Sequence, residues 1–142
     1  VKYVPRLAWL NADMDGDLIK KKRSEQYDDN HPLKKLPTVK IAPYILKYAM
    51  DVGLFKVGSM GLTPIDWPDL LAWSSMTNIN PHPEESRIIR ELSQVYVAWS
   101  SKAKDPNCGA PYLSKGQEQA NKQAKSDNIK AQMAQFRKNR NG

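Results

Sequence analysis

The chain has 142 residues, of which 40% are hydrophobic, and carries a net charge of +7. That length suits one ordinary domain, or a smaller one with an arm and a tail, and a single cysteine, Cys108, excludes an internal disulfide framework and gives no support to a structural zinc site. No run approaches the roughly 18 apolar residues that cross a bilayer, and the N-terminus lacks the order of a signal peptide, so a soluble cytoplasmic protein with no membrane partner is expected.

Residues 1–37 alternate short apolar clusters (Leu7, Trp9, Leu10) with blocks of charge such as Lys20 to Arg23. Such blocks bury little surface. An extended or partly disordered arm is expected, with a helical turn near residues 7–10 and another near 18–25. Trp9, isolated among charges, is a candidate partner-binding residue that buries on contact. The run DMDGD, residues 13–17, offers carboxylates at alternate positions, yet Gly16 and Ser24 fall where a calcium loop needs other spacing and a bidentate glutamate. A solvated turn is expected there, and no metal ligand.

Residues 38–113 carry the helical signals. Pro43 suits a first turn, where its missing amide proton would have no partner. Tyr44, Ile45, Tyr48, Ala49 and Val52 recur at intervals of three and four, predicting a helix over 44–56 that Gly53 and Gly58 weaken, with residues 57–61 as a flexible connector. Asp66 is a good N-cap, Pro68 and Asp69 suit a first turn, and Ile65 with Leu70 has the spacing of a hydrophobic staple; a helix over 67–76 follows. After a loop punctuated by Pro81 and Pro83, the acids Glu84 and Glu85 open a helix over 83–102, with a stripe of Ile88, Leu92, Val95, Tyr96 and Trp99 that Ile89 widens. The last two helices should pack as a hairpin, closed by the first. The fold class is therefore all-α, a small bundle of about three helices.

A turn cluster containing Pro106, Asn107 and Gly109 leads into residues 114–142, rich in Lys, Gln and Ala, with a weak apolar repeat at Ile129, Met133 and Phe136. This tail should be a basic, loosely docked helix. Lys and Arg outnumber Asp and Glu by nine to three in residues 101–142, against five to six in 38–100. The excess suits an acidic partner, the phosphates of a nucleic acid, or a merely solvated helix.

Chemistry is hard to find. His31 and His82 stand beside prolines in polar loops without a serine or cysteine motif, no glycine-rich phosphate loop occurs, and Cys108 reads as an incidental loop thiol. No catalytic residue, cofactor or metal is expected, and the chain is read as a non-enzyme. The aromatic residues divide: Trp73, Tyr96 and Trp99 fall at core-facing positions, whereas Trp67 in a first helical turn beside Pro64 and Pro68 can stay partly exposed. Exposed aromatics with prolines anchor protein partners, so Pro64, Trp67 and Pro68 join Trp9 as partner-binding candidates, with Ile129, Met133 and Phe136 of the tail.

One order of residues goes further: Leu36-Pro37, an aromatic-rich helix, Gly61-Leu62, Pro64-Ile65-Asp66-Trp67, Asp69, Ala72-Trp73, Glu84-Glu85, then Ile89, Leu92-Ser93 and Tyr96. It resembles the small tail-assembly proteins of tailed bacteriophages, over residues 36–112. The resemblance implies a tail assembly chaperone that coats the helical tape-measure protein during tail morphogenesis, works in the host cytoplasm and leaves before the virion matures. Other phage tail proteins would be its partners, and self-association stays open. The alternatives are a virion structural or connector protein, or a nucleic-acid-binding protein acting through its basic tail.

Overall fold

Residues 2–15 and 21–140 are described by the computed structural model, and their regular structure is predominantly helical. The elements are α1 (Tyr3–Asn11), α2 (Pro43–Val52), an antiparallel ribbon of β1 (Lys56–Gly58) and β2 (Gly61–Thr63), α3 (Trp67–Thr77), α4 (Pro83–Lys102) and α5 (Lys115–Arg140), with 3-10 turns at Arg23–Gln26 and Pro32–Lys34. The all-α expectation holds in its coarse form, since the structure is mostly helical, but among the described residues there are five helices in place of about three, and a small ribbon in addition.

Local chemistry accounts for the boundaries. Pro43 opens α2, and Gly53 closes it at φ +99°, a backbone setting that strains any residue with a Cβ, while donating its N–H to the Ala49 carbonyl at 3.2 Å. The flexible connector expected at residues 57–61 is instead a hairpin in which Val57 faces Leu62 and Gly58 faces Gly61. A Cβ at Gly58 would meet Thr63 Cγ2 at 3.0 Å and the Gly61 carbonyl at 3.3 Å, so a larger residue there requires the ribbon to shift slightly. Strands of three residues are too short for an alternating pattern to be legible.

Helix α4 is the hub, and it packs most closely on α1 and α2. The expected hairpin of the last two core helices is therefore not a tight pair: among the residues of α3, only Leu70 is buried. Val4 and Ala8 from α1, Ile45 and Ala49 from α2, Leu54, Ile65, Leu70, and Ile89, Leu92 and Tyr96 from α4 form the main core. The buried stripe of α4 is centred on Ile89, which is fully buried, while Ile88 is exposed; the helix is rotated by about one position from the stripe expected. Ser93, also fully buried, donates its hydroxyl to the Leu54 carbonyl at 2.8 Å and accepts the Ile65 amide at 2.9 Å, joining the ends of α2 and α3 to α4.

The extended arm is corrected. Residues 3–11 form a full helix on α4, and the segment after it returns to build a second core of Trp9, Leu10, Ala12, Leu33 and Ala103, against which Tyr27, Leu36, Cys108 and Leu113 pack. Two arginines hold this layer together by bonds to backbone carbonyls. Arg6 donates to the Leu33 carbonyl from Nε (3.2 Å) and Nη2 (3.0 Å) and to the Pro111 carbonyl from Nη1 (3.0 Å). Arg23 donates to the carbonyls of Ala103 (2.7 Å), Asp105 (2.8 Å) and Pro106 (3.3 Å), just past the C-terminus of α4, where a cation also answers the helix dipole. Burial holds both guanidinium pKa values below the ordinary range. Of the sequence expectations in this segment, Gly16 and Asp17 of the DMDGD turn and residues 18–20 of the turn over 18–25 lie outside the described residues, whereas Arg23–Gln26 is a 3-10 turn.

The tail is a single helix, α5, none of whose side chains is buried. Ser114 and Gln117 close a capping box at its start, and Gln117 Nε2 donates to the Pro32 carbonyl at 2.7 Å, tethering the first turns to the Pro32–Lys34 turn.

Candidate protein-docking site

The start of α3 is over-determined, and that fixes Trp67. The Asp66 N–H donates to the Asp69 carboxylate at 2.7 Å, closing one arm of a capping box; Pro68 occupies the first turn; and the staple residues Ile65 and Leu70 are both buried. Lys56 of β1 pairs with Asp69 at 2.8 Å. From α4, the Arg90 guanidinium lies 4.5 Å from the centre of the Trp67 ring and reaches Asp66 at 3.5 Å. A stacked cation of this kind is worth about 0.5–1 kcal/mol at an exposed site, enough to orient the indole without burying it. Trp67 stays 48% exposed.

Because α3 and α4 are splayed, a groove of about 480 Å³ opens between them. Trp67, Pro68, Leu70 and Leu71 form its α3 wall, Pro81 and Asn80 its end, and Ser86 its α4 side. Ser74, at its edge, already donates its hydroxyl to the Ile79 carbonyl at 2.7 Å. None of these lining residues is ionisable, and Leu71 is 69% exposed. Such a surface is suited to covering apolar side chains, and no ionisable side chain lines it for acid-base work.

The comparisons with known proteins add nothing to this geometry. No family model matches the chain, and neither a curated protein nor a solved structure similar to it was found. Function therefore rests on the residues themselves.

Of the expected partner-binding residues, Trp67 and Pro68 line the groove, while Pro64 is half-buried just before α3 and does not line it. Trp9 is corrected: only 1% exposed, it donates its indole N–H to the Cys108 carbonyl at 2.9 Å, with Arg23 4.8 Å from its ring centre and Tyr27 stacked at 6.2 Å. An isolated tryptophan in a charged segment is here the centre of a core, because Arg6 and Arg23 turn inward onto backbone carbonyls while Asp13, Asp15, Lys22 and Glu25 stay exposed. Ile129, Met133 and Phe136 are all exposed on α5 and do not line the groove. Leu71, Asn80 and Pro81 escaped the sequence reading; an unpaired leucine on the polar side of a weakly amphipathic helix was the available signal.

The residues considered for chemistry have structural positions. His82 Nδ1 accepts the Glu84 amide at 3.4 Å at the start of α4, and His31 Nδ1 accepts the Leu33 amide at 3.2 Å while its ring stacks on Tyr27 at 4.6 Å. Glu84 pairs with Arg87. Among the described residues, no group of three or more His, Cys, Asp or Glu is placed to hold a metal ion, and no helix is long and apolar enough to cross a membrane.

The caps that position the groove make stability sensitive to acid. Glu85 accepts from the Tyr44 hydroxyl (2.6 Å) and the His82 amide (2.8 Å), and these bonds, the tyrosine first, hold its pKa below the ordinary value. Asp69 is lowered in the same way by the Asp66 amide and then by Lys56. A carboxylate with a depressed folded-state pKa adds stability above its unfolded pKa and loses it as pH falls through the folded one. The urea midpoint is therefore expected to decline as pH drops below about 5, and the double variant Glu85→Gln, Asp69→Asn should flatten that decline. An undiminished slope in the double variant would assign the acid sensitivity elsewhere.

Proposed function

We propose that this chain is a tail assembly chaperone of the tailed-bacteriophage kind, holding part of the tape-measure protein in the groove between α3 and α4. The observation that carries the reading is a half-exposed tryptophan, oriented by Arg90 and by a capped helix start, at the wall of an uncharged, mainly apolar groove. A long helical client exposes apolar faces that aggregate in water, and a groove of this chemistry covers side chains projecting from one face of such a helix. The order of residues over 36–112 supplies the identity of the client by resemblance. On this reading the protein acts in the host cytoplasm and departs before the tail is complete.

Co-expression with the tape-measure protein tests it. Wild type should raise the soluble fraction of the client, and Leu71→Asp should reduce that gain about fivefold or more while changing the protein's own stability by less than about 1 kcal/mol, because Leu71 is exposed. A client that stays insoluble with wild type, or a Leu71→Asp variant that works fully, counts against the proposal. The basic face of α5 favours a second reading, a virion component or DNA-binding protein. Retention of DNA at physiological salt, or recovery of the chain from purified mature virions, would support that one instead.

A further inference from the structure

Helix α5 is one-sided in a way its composition conceals. At 3.6 residues per turn, Ile129, Met133 and Phe136 fall within one arc of about 140° together with six of the helix's seven cations, Lys115, Lys122, Lys125, Lys130, Arg137 and Arg140. Glu118 is the one carboxylate in that arc. All six cations and all three apolar residues are exposed, Phe136 at 77%. The opposite side is mainly Ala, Gln and Asn, with Lys138 the one cation there: Gln117, Ala120, Asn121 and Ala124 are half-buried, and Asn128, Ala131, Gln132 and Gln135 border a gap facing Met14, Asp15, Gln26 and Pro106 of the body. The helix thus turns its bland side to the protein and most of its basic, apolar side to solvent, with Lys125 at the edge of the arc reaching back toward Gly109.

We infer that this outer face docks an acidic amphipathic helix of a protein partner. The spacing of four and three residues between Ile129, Met133 and Phe136 is the spacing of a helix-helix seam, and the cations flanking it match carboxylates flanking the seam of a partner. A phosphate backbone would answer the charge, but offers no apolar surface to cover three large side chains. The apolar seam from Ile129 to Phe136 spans about 11 Å, two turns of contact, and the cations carry the basic face along the rest of the helix. This rests on reading the chain as a holder of another protein, and it names the chemistry of a second contact that is separate from the groove.

The test uses the full chain and a designed 21-residue helix with leucine at the a and d heptad positions and glutamate at e and g, followed by fluorescence anisotropy. The acidic peptide should bind, its lysine counterpart should not, and the triple variant Ile129→Ala, Met133→Ala, Phe136→Ala should weaken binding at least about tenfold. Leu71→Asp should leave peptide binding unchanged, which separates this face from the groove and lets either proposal fail alone. The inference is overturned by failure of the acidic peptide to bind, by binding that the triple variant leaves intact, or by a 20-base-pair DNA duplex binding more tightly than the peptide at 150 mM salt. None of these side chains is buried, so the variant should fold; its helical circular dichroism checks that.

Discussion

Trp9→Ala should lower the free energy of unfolding by about 3–5 kcal/mol, the range for deleting a large buried aromatic side chain. The indole lies at the centre of the second core, in contact range of Arg23 and Tyr27, and its N–H is bonded to the Cys108 carbonyl. Alanine would leave a cavity bordered by Leu10 and Leu33 and an unpaired carbonyl at residue 108. Against a total stability of about 5–15 kcal/mol, such a loss is a large fraction and should lower the melting temperature by about 10 °C or more. Urea and thermal unfolding followed by circular dichroism measure it. Trp67→Ala is the control, since a half-exposed indole held by a stacked arginine should cost about 1 kcal/mol or less. Equal, small effects from the two substitutions would mean that the N-terminal helix does not dock as described.

Arg6→Met is expected to cost about 2–4 kcal/mol, and Arg6→Lys should be no milder. A fully buried guanidinium with no carboxylate partner among the described residues carries a desolvation cost of several kcal/mol. Three charge-assisted bonds, each worth about 1.5–3 kcal/mol, offset it and at the same time satisfy the carbonyls of Leu33 and Pro111, which lie 27 and 105 residues away in the chain. Methionine removes the buried charge but strands both carbonyls, at about 1–3 kcal/mol each. Lysine keeps the charge, yet its ammonium has no planar fork to reach two segments and is more strongly hydrated. The decisive measurement is the ordering of the two variants in denaturant unfolding. A lysine variant close to wild type would show that charge alone, and not the fork geometry, ties these segments to α1.

The legible parts of the fold were those written in neighbouring residues. The start of α3 followed from Asp66, Pro68 and Asp69 within four positions, and the span Pro83–Lys102 from its acids and its apolar period, because caps, dipoles and periodicity act over one or two turns. Within the candidate site, Trp67 and Pro68 were legible for the same reason. Leu71 and Pro81 were not, since a groove exists only where two helices fail to close on each other, and helix spacing is not a local property.

Sequence by itself determined the spans of α3, α4 and α5 and the start of α2, whose expected run to residue 56 stops at Val52, that the charge excess falls in the tail, and that Trp67 opens a helix beside prolines. Tertiary structure alone decided the rest. It turned the arm into α1 and a second core, made Trp9 a core residue, and sent Arg6 and Arg23 inward. The physical reason is that their partners are backbone carbonyls distant in the chain. Every residue carries such a group, so no side-chain pattern announces which ones a buried arginine will find.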